Sequence, residues 1–149
     1  NATDVWEMSN TTGPYSRFQL KQYIEQTQND LFADRQLRLM IENGNRQVVG
    51  IVDLCSFDPL HNRAEVGIMV DKSCRRQGIG RNALALLEEH CFRYLGIHQL
   101  FAYIAVENLP SRRLFAACGY KESAVLKEWA HTFGGGYTDV LVVQKLNLS

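Results

Sequence analysis

Residues 63–96, RAEVGIMVDKSCRRQGIGRNALALLEEHCFRYLG, change their hydrophobic period once, and that change dictates a strand feeding a helix. Ala64, Val66, Ile68 and Val70 share one parity and Glu65, Gly67 and Met69 the other, the alternation of a half-buried strand. Leu84, Leu87, Cys91, Tyr94 and Leu95 then recur at helical spacing until Gly96, which predicts a helix over 79–95. The join between them is Arg75, Arg76, Gln77, Gly78, Ile79, Gly80 and Arg81. A helix N-terminus presents unpaired N–H groups and the positive end of the macrodipole. Glycines there let an anion reach the backbone, and arginines add charge-assisted hydrogen bonds. A phosphate-binding loop is the functional reading; a glycine-containing loop with solvated arginines is the structural one, and the glycines alone do not separate them.

Around this unit the chain supplies the rest of one domain, residues 1–149, long enough to bury a single core. Ser16 with Gln19 has the pattern of a capping box, and Phe18, Leu20, Tyr23 and Ile24 follow, which predicts a first helix over about 16–28. RLMIEN and QVVGIVDLCSF flank an Asn-Gly turn as a strand pair. QLFAYIAV reads as a strand, NLPSRRLFAACGY as a short helix with Pro110 in its first turn, and the runs either side of Gly134, Gly135 and Gly136 as two strands. Helix, three strands, helix, strand, helix and two strands describe an α/β domain with a mixed sheet.

Composition removes several classes of function. Sixteen basic residues balance sixteen acidic ones, so bulk affinity for nucleic acid or an anionic membrane is not expected and any anion site is local. No apolar run reaches a membrane span. Cys55, Cys74, Cys91 and Cys118 form no C-x-x-C pair and have no histidine at zinc-ligand spacing, so no metal is expected. Their scatter fits buried thiols in a reducing cytoplasm. No P-loop lysine pattern occurs, and the dinucleotide fingerprint fails at Ala83.

Arg75-Arg76-Gln77-Gly78-Ile79-Gly80 resembles the [QR]-x-x-G-x-[GA] motif of the GNAT superfamily of acyl-CoA-dependent N-acetyltransferases. AEVGIMVD is similar to that family's fourth strand, and NLPSRRLFAACGY to its N-x-x-[SA]-x-x-[LV]-[YF]-x-x-x-G-[FY] pattern. The three occur in the family's order, and the similarity covers about residues 37–146. It implies an α+β GNAT fold: a mixed, mostly antiparallel sheet whose fourth and fifth strands splay apart, with flanking helices. NATDVWEMSN resembles the segment after the family's first helix, which implies an N-terminally truncated domain without strand 1; the other reading is a pattern shortened here or completed by another chain.

The same resemblance implies acetyl-CoA as cosubstrate and direct attack by a primary amine in a ternary complex. The loop from Arg75 to Arg81 would bind the pyrophosphate, and backbone groups of Met69 and Val70 would hold the pantetheine arm. Asn108 and Ser111 would hydrogen-bond that arm; both are also candidate helix-capping residues. Glu65 is the candidate general base, with a structural or substrate-binding carboxylate as its other reading. Phe115 stands where many GNAT enzymes carry the tyrosine that protonates the leaving thiolate, and it has no proton to give. HTFGGGYTDVLVVQKL and RAEVGI resemble the branch of bacterial spermidine and ribosomal-protein acetyltransferases. Spermidine and a peptide N-terminus are therefore the two acceptor classes, and a homodimer is a family-level expectation. A CoA-binding module without catalysis is the competing class, motivated by Phe115.

Overall fold

One sheet of eight strands runs through the computed structural model, which describes residues 4–10, 18–24, 31–74 and 78–148. In chain order these are β1 (Asp4–Asn10), β2 (Phe18–Ile24), the single helical turn α1 (Leu31–Asp34), β3 (Leu37–Asn43), β4 (Val48–Asp58) and β5 (Arg63–Val70). A 3-10 turn (Lys72–Cys74) precedes α2 (Ile79–Glu89), which continues as a wider π-type turn (His90–Tyr94). Then come β6 (Gln99–Ala105), α3 (Leu109–Ala117), β7 (Lys121–His131) and β8 (Tyr137–Leu146). The spatial order is β1-β2-β3-β4-β5-β6-β8-β7, antiparallel at every pairing except β5 with β6. The residue pattern predicts a mixed sheet but only six of these eight strands, and the mostly antiparallel α+β arrangement is the one the GNAT resemblance implies.

The first helix expected over 16–28 is not formed where the chain is described: Phe18–Ile24 is β2, inserted between β1 and β3. Ser16 and residues 25–28 lie outside the described residues. The segment satisfies a period of two as well as one of 3.6, and a strand partner decides between them. Leu20 lies opposite Ile41 and both are fully buried, while the Lys21 ammonium reaches the Glu42 carboxylate at 3.1 Å. Asp4–Asn10, within the stretch read as following a first helix, is itself a strand paired along its whole length with β2.

The core lies on one face of the sheet. Ala83, Leu84, Leu87 and Cys91 of the helix meet Val52, Leu54, Ala64, Val66, Leu100 and Ala102 from the central strands. Each fully buried leucine contributes about 1.5–3 kcal/mol by leaving water. On the opposite parity Arg38 and Asp53 form a two-toothed ion pair at 2.8 and 3.0 Å, and Met69 and Tyr103 are exposed. At the far edge, β7 is interrupted twice in its register with β8. The second irregularity places Glu128 at φ 50, held by its N–H donating to Asp139 Oδ1 at 2.8 Å.

Gly50 is where two strands come closest. A Cβ there would stand 2.6 Å from the Met69 carbonyl oxygen and 3.0 Å from Ile41 Cδ1, so no side chain fits without moving β5. Gly50→Ala is expected to lose about 1–3 kcal/mol of stability through overpacking. Urea unfolding measures it, and an unchanged midpoint would mean that β5 yields freely. A second expectation concerns Asp139, whose carboxyl is held below the usual carboxylate range by the Glu128 N–H and then by Lys127. Its contribution is complete above the unfolded value of about 3.9 and is lost as pH falls through the lower folded value. The Glu128 amide resonance should titrate with a midpoint below that of an ordinary aspartate; a midpoint at or above it would contradict the assigned hydrogen bond.

Candidate active site

The sheet opens at its centre. β5 and β6 pair only at Arg63 with Gln99, Ala64 with Leu100 and Glu65 with Phe101. Beyond these, β5 stays with β4, from Glu65 opposite Cys55 to Val70 opposite Gly50, while β6 stays with β8 over all seven of its residues. Two strands each committed to an outer neighbour, with right-handed twist accumulating between them, separate into a cleft. From Val66 to Met69 the β6-facing side of β5 carries no strand pairing, so an extended ligand can take the place of a strand there.

Glu65 sits at the point of divergence, half-buried, on the parity that faces away from α2. Its Oε1 accepts from Ser56 Oγ at 3.5 Å, a long contact, and the Cys55 thiol is its other hydrogen-bond partner. Cys55 stands directly opposite, and its thiol is pushed up by burial and by the charge of Glu65. A proton on that thiol keeps a second negative charge away from the carboxylate. Met69 is 70% exposed on the same parity, and Val70 packs on the core side. On the β6 wall, Phe101 and Tyr103 share this face with ring centroids 5.8 Å apart.

At the wide end of the cleft, Gly78 occupies the N-cap of α2 at φ 76, a left-handed conformation that glycine adopts without strain. It offers no side-chain cap, and the first turn contains no acidic residue, so the helix end keeps its positive character. Gly80 lies against α3: a Cβ there would be 3.2 Å from Leu114 Cδ2 and 3.7 Å from Val70 Cγ2. Ile79 is half-buried and Arg81 exposed in the same turn. Arg75, Arg76 and Gln77 lie outside the described residues.

Asn108 caps α3, its Oδ1 accepting from the Ser111 N–H at 3.2 Å, with Pro110 in the first turn. The cap uses the amide oxygen and leaves the amide N–H groups for another role. Phe115 is buried and packs edge-on against Tyr120 with centroids 4.8 Å apart. Tyr120 is buried too, its phenol pushed far up by burial and by Glu88, so it does not replace the missing acid.

The sequence gives no sign of the cluster beneath Tyr120. The Lys145 ammonium on β8 donates to Glu88 Oε1 of α2 at 2.6 Å and to the Cys118 carbonyl at the end of α3 at 2.6 Å. Glu88 is a buried carboxylate whose pKa is raised by burial, with Lys145 pulling the other way. Glu88 stands four residues after Leu84 and three before Cys91, on the apolar stripe of α2, so its burial follows from helical spacing and only its partner depends on tertiary structure. Elsewhere, His131 stacks edge-on with Tyr137, and Trp129, Phe133 and Tyr137 are exposed around the glycine turn. Among the described residues, no group of His, Cys, Asp or Glu is placed to hold a metal ion, and no helix is long and apolar enough to cross a membrane.

A family profile described as an acetyltransferase (GNAT) domain matches residues 1–121. The chain belongs to the GNAT acetyltransferase family. It is 27% identical over 128 residues to a spermidine N(1)-acetyltransferase of Vibrio cholerae, covering 85% of this chain and 72% of that protein. It is 35% identical over 96 residues to an N-acetyltransferase 9-like protein of Nematostella vectensis, covering 58% and 48%. Among solved structures, a chimera of spermidine N-acetyltransferase SpeG from Vibrio cholerae and hSSAT superposes with a TM-score of 0.74 at 25% identity, over 78% of this chain and 70% of that one. A dodecameric spermidine N-acetyltransferase structure from Vibrio cholerae gives 0.72 at 25% identity, over 78% and 68%.

GNAT acetyltransferases use acetyl-CoA, and the described residues suit such a donor: an unpaired strand edge for an extended arm, and a helix N-terminus without side-chain cap or acidic residue for an anion. Gly78→Glu should raise the acetyl-CoA Kd by at least about tenfold by putting a carboxylate at that mouth. Gly78→Asn, which tolerates the left-handed conformation without adding charge, should bind nearly as the wild type. Calorimetry of both variants is the check, and normal affinity in the glutamate variant would remove this helix end from the binding site.

Proposed function

We propose that this acetyltransferase moves the acetyl group of acetyl-CoA to a primary amine by direct attack in a ternary complex, with a polyamine such as spermidine as acceptor. The single observation that carries the reading is the opening of β5 from β6 at Glu65, which leaves a carboxylate where an unpaired strand edge begins. The kinship with a Vibrio cholerae spermidine N(1)-acetyltransferase supports the acceptor class.

In this reading the Gly78, Ile79 and Gly80 backbone, with Arg75, Arg76, Gln77 and Arg81, holds the pyrophosphate. Met69 and Val70 hold the pantetheine arm through their backbone, and Asn108 and Ser111 hold it from α3. That arrangement converts a bimolecular encounter into an oriented one, the largest service such a site provides. Glu65, directly or through one water, takes a proton from the acceptor nitrogen, whose lone pair forms the new C–N bond to the carbonyl carbon. The C–S bond breaks and the electron pair leaves on sulfur. With phenylalanine at position 115 and Tyr120 committed to the core, solvent supplies the thiol proton, which is affordable because a free thiol has a pKa of about 8.5. Glu65 shares its face of the sheet with exposed Met69 and Tyr103, which would give a cationic acceptor a carboxylate on a partly apolar surface. The acidic residues of the early segments are further candidates for the cationic groups of a polyamine: Asp34 is exposed, Asp4 and Glu7 belong to β1, and Glu25 and Asp30 lie outside the described residues. Self-association belongs to the same reading, given the dodecameric relative.

The test is acetyl-CoA binding by calorimetry, followed by thiol release with spermidine, spermine, a peptide with a free N-terminus and free amino acids. Spermidine should turn over best, and release with the peptide alone would move the acceptor to protein N-termini. Binding without release for every acceptor would make the chain a non-catalytic module. Glu65→Gln is expected to lower kcat at neutral pH by about 100-fold or more with little change in acetyl-CoA affinity. An unchanged rate and pH profile would remove Glu65 as base.

A further inference from the structure

α2 and α3 meet near the start of α2 and near its end, and the Cys118 thiol also donates to the Arg81 carbonyl at 3.9 Å. Near the start of α2, Gly80 lies against Leu114 with so little room that a Cβ would be 3.2 Å from the leucine methyl. Near its end, Lys145 joins Glu88 of α2 to the Cys118 carbonyl that terminates α3, each contact at 2.6 Å. Gly119, at φ 92, turns the chain just after this contact, and a Cβ there would stand at ordinary contact distance from Lys145, 3.5 Å from Nζ and 3.6 Å from Cε. The ammonium also lies 5.9 Å from the Tyr120 ring centroid, so carboxylate, carbonyl and ring surround it.

We propose that Lys145 is a positioning residue for the cofactor site: by tying the end of α3 to α2, it sets where Asn108 and Ser111 stand relative to Gly78. α3 is nine residues long, about 14 Å at 1.5 Å per residue, with Asn108 before one end, Cys118 after the other and Leu114 between. Leu114 against Gly80 is a fulcrum. Without the tie at the Cys118 carbonyl, only the weak thiol contact to Arg81 holds that end, so α3 tilts about Leu114 and its capped end moves the opposite way, away from the arm it would grip. The proposal rests on α2 and α3 binding acetyl-CoA, as set out above.

Two variants separate positioning from bulk stability. Lys145→Met leaves the Glu88 carboxylate buried alone and is expected to destabilise the fold. The double variant Glu88→Leu with Lys145→Met removes that charge and should recover most of the loss, because a buried ion pair is often replaceable by apolar groups. The tie to the Cys118 carbonyl stays broken in both. In the double variant, positioning predicts an acetyl-CoA Kd and KM raised about tenfold, with a smaller fall in kcat at saturating acetyl-CoA. Amide exchange at Leu109, Ser111 and Arg112, the last two bonded to Asn108, should quicken relative to α2. A double variant with recovered stability, wild-type Kd and wild-type exchange would overturn the proposal. If the wild type binds no acetyl-CoA, the cofactor reading falls, and exchange at Leu109, Ser111 and Arg112 in the double variant still decides for or against the role of Lys145.

Discussion

The short ladder between β5 and β6 is the constraint on which the remaining architecture depends. Three residue pairs join two halves of one sheet, β1 to β5 on one side and β6 to β8 on the other. Each half is internally antiparallel and well paired, so the halves can diverge without leaving their outer ladders. The helices then have to bridge the gap. Leu84 and Leu87 of α2 belong to the same buried cluster as Val66 of β5 and Leu100 of β6, which makes α2 the element that holds the divergent strands at a fixed separation.

That bridging role explains why the chemistry and the packing are so closely interleaved. α2 offers its N-terminus to the cleft and its apolar face to the core, and its one buried carboxylate, Glu88, to Lys145. β5 likewise divides its two parities between Ala64 and Val66 in the core and Glu65 on the far face. A substitution on either element therefore moves both stability and site geometry, and separating them needs paired variants rather than single ones.

Much of this was legible in the residues, for identifiable reasons. The strand-to-helix switch over 63–96 is long, strongly periodic and bounded by glycines, and β5, α2, β6 and α3 all occur where the pattern places them. Phe18–Ile24 was not legible as a strand, because seven residues that fit two periods take their structure from the available edge of β3. The position of Glu65 at the divergence follows from register, which pairs it with Cys55 on one side and Phe101 on the other and is not encoded locally. The Lys145 cluster was invisible for the same reason: its three members are 27 to 57 residues apart in the chain.

The bare N-cap of α2 has a consequence for energetics. Gly78 supplies no capping side chain, a deficit of only about a few tenths of a kcal/mol against Ser or Asp, but it leaves the first-turn N–H groups free of a side-chain acceptor. On the proposed reading, a bound anion would complete the first turn of the helix that spans the two half-sheets. Ligand concentration and the stability of the fold would then be linked quantities, with a filled site tightening the element that keeps the sheet open.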